Sequence, residues 1–175
     1  METRCVPFKF TIEDKEYEAY ILEKHWEEIV KALDKSQKKT GYERSEYNKI
    51  YFYENSGIVG SSADWGKEVD SMLYRSGNYY SDKTIAENNA RADNLMRQLR
   101  RFAAEHRNKE IDWNKESYKY TIRYGHHAQG LFVSYEIKGQ DFGCIWFDTA
   151  DEARLAIKTF HDELIWYFTE YKDSL

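Results

Sequence analysis

The chain has 175 residues, a formal net charge of −5 and a mean hydropathy of −0.86, and no apolar run approaches the roughly 18 residues of a membrane-spanning helix. With 15 Tyr, 9 Phe and 5 Trp it is too aromatic for a disordered chain, because burying such side chains offsets the entropy of ordering. A pI near 5.6 argues against coating nucleic acid by bulk charge.

The N-terminal residues Met1–Cys5 lack the basic and apolar regions of a secretory signal, so a cytoplasmic location is expected, with Cys5 and Cys144 as free thiols. Phe8–Ile12 alternates apolar and polar residues, Asp14-Lys15 can turn the chain, and Tyr17, Ala19 and Ile21 continue the alternation. Trp26, Ile29, Val30 and Leu33 then recur at helical spacing, and the helix dissolves into polar residues 36–41. Residues 1–46 thus read as a ββα unit.

Residues 47–106 read as a βββα unit. Ile50–Tyr53 is β-rich, Asn55-Ser56-Gly57 signals a turn, and Ile58-Val59 begins a second strand. A third strand is expected at Leu73-Tyr74 or Tyr79-Tyr80. Thr84–Glu87 fits a capping box, and Ala92, Leu95, Met96, Leu99, Phe102 and Ala103 form the apolar stripe of the helix that follows. Residues 107–117 form a polar linker whose Trp113 is expected to dock on a neighbouring unit.

Residues 118–175 read as a second βββα unit. Tyr118, Tyr120, Ile122 and Tyr124 share one face of a strand, and Leu131, Val133, Tyr135 and Ile137 share one face of the next. Cys144–Phe147 is expected as the third strand. Thr149–Glu152 makes another capping box, and Ala153, Ala156, Ile157, Phe160, Leu164, Tyr167 and Phe168 trace one helical face. Thr84 and Thr149 lie 65 residues apart, and at that offset Leu95, Leu99 and Phe102 meet Phe160, Leu164 and Tyr167. The pattern reads as an internal repeat in an α+β fold, antiparallel β-meanders each covered on one face by a helix.

No catalytic pattern is complete. The chain has no G-x-S-x-G, dinucleotide-binding or P-loop motif, and none of the five His belongs to an H-E-x-x-H pair. His126-His127 has no acidic or Cys neighbour to complete a metal site and reads as an exposed hairpin loop. Neither enzyme activity, metal nor cofactor is expected. The candidate binding residues are Arg97, Arg100 and Arg101 (with Arg107 further along) on the outer side of the middle helix, and Leu155 and Trp166, which lie off the C-terminal stripe. Arginines can grip phosphate or carboxylate bidentately, and a stray Trp suits a partner surface, an intramolecular contact or self-association.

Gly77-Asn78-Tyr79-Tyr80-Ser81 leading into Thr84–Glu87, and Tyr118–Tyr171 with its strand Gly143–Phe147, give the chain a resemblance to a family. Over residues 47–172 it resembles small accessory proteins, with repeated β-meander–helix units, of phages and prophages of Gram-positive bacteria. Residues 1–46 depart from that pattern. The resemblance implies phage origin and the bacterial cytoplasm, with no reaction attached. By analogy of genetic context it points to an anti-CRISPR-type inhibitor that binds a host defence nuclease or ribonucleoprotein. A nucleic-acid or nucleotide binder using the Arg-rich helix face is the alternative.

Overall fold

The computed structural model describes residues 5–12, 14–36 and 39–173, and the chain divides into two compact units, residues 1–40 and 41–175. In the N-terminal unit, β1 (Cys5–Ile12) and β2 (Lys15–Leu22) form an antiparallel hairpin, followed directly by α1 (Glu23–Ser36). Asp14 turns the hairpin at φ 63°, a conformation that Asp tolerates better than most residues. Phe8 packs its ring 6.1 Å from Trp26 of α1 and 5.4 Å from Phe10. So small a unit buries little: Tyr17, Tyr20 and Ile29 stay exposed. Part of the polar stretch expected at 36–41 lies outside the described residues.

The described residues of the C-terminal unit form two hairpins and four helices. Hairpin β3 (Ile50–Asn55) and β4 (Ile58–Ala63) leads into α2 (Glu68–Arg75) and the 24-residue α3 (Lys83–His106). Hairpin β5 (Lys119–Gly125) and β6 (Gly130–Glu136) leads into α4 (Ala150–Thr159) and α5 (His161–Thr169). The α+β class, with sheets packed on helices, is as expected. The alternation of β5 and β6 holds in part: Tyr120, Ile122, Leu131 and Val133 pack on the main core of Leu95, Leu99, Phe102, Phe147, Ala153, Ala156 and Leu164, but Tyr118, Tyr135 and Ile137 are exposed, and Lys119 and Thr121 on the other face are buried. A second cluster of Tyr80, Ile85 and Ala86 takes in Tyr42, Phe52 and Val59. Gly41 makes its close approach possible: at φ 90°, a Cβ there would stand 2.8 Å from Ile85 Cγ1.

Four expectations need correction. The third strand of each unit shrinks to one antiparallel bridge, Phe52 with Tyr80 and Tyr120 with Phe147. Leu73-Tyr74 is helical, inside α2. The cap of α3 is Asp82, whose Oδ1 accepts from Ile85 N at 3.0 Å; Asp is at least as good a cap as Thr, and Glu87 pairs with Lys83 at 2.9 Å instead of reaching back. Thr149 does cap α4, accepting from Glu152 N at 3.2 Å. The caps are therefore 67 residues apart, and the offset of 65 does not carry through them. Finally, the last helix breaks at Phe160 (φ −113°, ψ 23°), just after Thr159 back-bonds to Leu155 O, a contact that bends helices. The Phe160 ring meets Phe102 edge-on at 5.5 Å.

Candidate interaction surface

Residues 64–70 begin as a turn and end in the first turn of α2. Gly66 adopts φ 67°, and its amide donates to Asp64 Oδ1 at 2.8 Å in an Asx turn. Asp64 Oδ2 accepts from Tyr79 Oη at 2.9 Å and from Arg44 Nε at 3.1 Å. Asp70 reaches back to the start of its own helix. Its Oδ2 accepts from the amides of Trp65 and Lys67, at 3.0 and 2.9 Å, while Oδ1 accepts from Tyr51 Oη at 2.9 Å. The rings of Tyr51 and Tyr79 stack 4.1 Å apart. Both carboxylates are buried, and every one of their oxygens has a donor, which is the condition for burying charge at low cost.

Burial raises the pKa of Asp64, but the Gly66 amide, Arg44 and Tyr79 outweigh it and hold the carboxyl below its ordinary value. Burial, with Asp70 accepting its proton, pushes Tyr51 up to about 12, and burial likewise takes Tyr80 and Tyr171 to about 12. A raised phenol pKa favours the neutral native state. This contribution is full below the ordinary value of 10 and is lost as the pH rises through about 12. A phenolate absorbance titration should therefore end in a late phase near pH 12 that coincides with unfolding. A single reversible step near pH 10 would contradict these placements.

The network holds still a surface that is apolar on its outside. Trp65 is 44% exposed and meets Tyr47, 71% exposed, edge-on at 5.6 Å. Asn48 N donates to Asp64 O and Asp64 N to Lys49 O, tying the backbone beside Tyr47 to the turn that carries Trp65. Val69 and Met72, spaced three residues apart on α2, are also exposed, as is Ile50 at the start of β3. Aromatic residues and Met are enriched in the cores of protein interfaces, and Trp and Tyr among their energetic hot spots.

The residues singled out in the sequence are dispersed. Arg97 pairs with Glu54 at 3.2 Å and Arg101 with Glu105 at 3.6 Å, so two of the three arginines already have acidic partners. Arg107 donates to Trp146 O at 3.2 Å. Leu155 is exposed. Trp166, at 7%, is buried, which removes it from an exposed partner face; Arg91 lies 3.9 Å over its ring while paired with Glu163. His126 and His127 sit exposed in the β5–β6 turn. Trp113 docks within the C-terminal unit, edge-on to Trp146 at 5.1 Å, with Lys119 Nζ above it at 5.4 Å. Among the described residues, no group of three or more His, Cys, Asp or Glu could hold a metal, and no helix is long and apolar enough to cross a membrane.

Sequence reasoning missed Trp65, Tyr47 and the network beneath them. The legible signal was local: Asp64-Trp65-Gly66 and Asp70 bracket a turn glycine just ahead of a short helix. No family model, curated protein or solved structure matches the chain.

Proposed function

We propose that the protein acts by binding another protein rather than by catalysis, as a phage-encoded inhibitor of a bacterial defence system, with a CRISPR-Cas nuclease as its target. The observation that carries the binding reading is the exposed Tyr47–Trp65 pair on its buried Asp64–Asp70 base. The target class rests on the resemblance of residues 47–172 to small phage accessory proteins. The nucleic-acid alternative is the weaker reading, because Arg97 and Arg101 are engaged by Glu54 and Glu105.

An affinity pull-down from bacterial lysate, with and without nuclease treatment and read by mass spectrometry, tests this reading. The expected result is a defence nuclease that stays bound after treatment and is lost with Trp65→Ala. Recovery of nucleic acid alone, vanishing on treatment, would instead support the arginine-face reading.

A further inference from the structure

Arg100 stands where two clefts of the C-terminal unit meet. The larger, about 640 Å³, has an apolar wall of the partly buried Met96, Ile122, Ile145 and Phe168, with Arg123 and His126 among its polar lining. The smaller, about 460 Å³, is lined by Arg107, Glu110, Trp113, Gln140 and Trp146. Arg100, Cys144 and Ile145 belong to both. Each volume falls within the roughly 300–1,000 Å³ of small-molecule sites, which combine apolar walls with a few placed polar groups.

One guanidinium here is unspent, while Arg107 already donates to Trp146 O at 3.2 Å. Among the described residues, Arg100 is the arginine with neither an ion pair nor a hydrogen bond, whereas Arg44, Arg75, Arg91, Arg97, Arg101, Arg123 and Arg154 all face a carboxylate. Arg107 Nε and Trp146 Nε1 are buried without an acceptor from the protein, and Trp146 is only 6% exposed. The smaller cleft sets two arginines against one acid, Glu110. In the larger cleft Arg123 is occupied by Asp141 at 2.9 Å, so the uncompensated positive charge lies at Arg100.

We propose that the joined clefts bind a small amphipathic organic anion. Its carboxylate or phosphate head accepts from the exposed Arg100, and its apolar body covers the partly buried Met96, Ile122, Ile145 and Phe168. The site shares no residue with the Tyr47–Trp65 surface, so the two readings stand or fall separately.

Cys144 gives a local readout, because it is exposed and lines both clefts, and exposed Cys5 in the N-terminal unit is an internal control. The full chain would be alkylated with iodoacetamide in the presence of decanoate, decyl phosphate or 1-decanol, with labelling at each cysteine quantified by mass spectrometry. The amphipathic anions are expected to slow alkylation of Cys144 and leave Cys5 unchanged, with 1-decanol ineffective at the same concentration. Protection by only one of the two anions supports the site and names its head group. Arg100→Gln, at an exposed position where folding is retained, is expected to weaken protection about tenfold or more. Equal protection by 1-decanol, no protection by either anion, or unchanged affinity in Arg100→Gln would overturn the proposal.

Discussion

Asp70→Ala is expected to lower the stability of the C-terminal unit by about 3 kcal/mol, read from the urea midpoint at unchanged slope. Its carboxylate is 2% exposed and accepts from three donors, Tyr51 Oη and the amides of Trp65 and Lys67. Removing it strands all three, at about 1–3 kcal/mol for each donor that water cannot reach. The two amides are only partly buried and recover some hydration, which keeps the total near the lower end of the summed range of about 3–9 kcal/mol. Tyr51→Phe removes one hydrogen bond and leaves the two amide contacts in place, so about 1 kcal/mol is expected. A cost below about 1 kcal/mol for Asp70→Ala would mean that the network does not hold the turn. The same variant should loosen the backbone under Trp65 and weaken partner capture, although Asp70 itself is buried.

Phe147→Ala is expected to cost about 3–5 kcal/mol, the range for deleting a buried aromatic ring. Phe147 is fully enclosed and touches the cluster that joins α3 to α4, α5 and the β5–β6 hairpin. Its backbone bridge to Tyr120, at 2.8 and 3.0 Å, does not depend on the side chain and should survive. Phe147→Leu keeps much of the volume and should cost well under half as much. A loss for Phe147→Ala no greater than that for Phe147→Leu would show that the adjoining cleft absorbs the missing ring, and that this cluster is not the unit's principal core.

Much of the fold was legible because its signals are local. The alternation through Tyr120, Ile122, Leu131 and Val133 marks the part of β5 and β6 that packs inward, the stripe through Leu95, Leu99 and Phe102 marks α3, and Asn55-Ser56-Gly57 marks the β3–β4 turn. What was missed depends on groups that meet only in space. α2 escaped because it is eight residues long and its Val69 and Met72 point outward, so it carries no inward apolar stripe. Asp82 lies only two residues from Thr84, and either can cap, so the competition is decided by geometry. The break at Phe160 has no Gly or Pro to announce it. The network unites Arg44, Tyr51, Asp64, Asp70 and Tyr79 from separate segments, and no spacing rule links them. For Trp166 the position off the stripe left a partner surface, an intramolecular contact and self-association open, and Arg91 and Tyr171 cover the ring from within the unit.

On the function proposed above, the Tyr47–Trp65 pair engages a host defence protein. The most direct test is a plasmid-interference assay in bacteria carrying a single CRISPR-Cas nuclease, comparing the chain with its Tyr47→Ala/Trp65→Ala variant at matched soluble levels. The chain is expected to protect the plasmid, and the variant, truncated at two exposed positions and still folded, to lose protection. Failure of the chain to protect against every defence nuclease tested, or full protection by the variant, would contradict it.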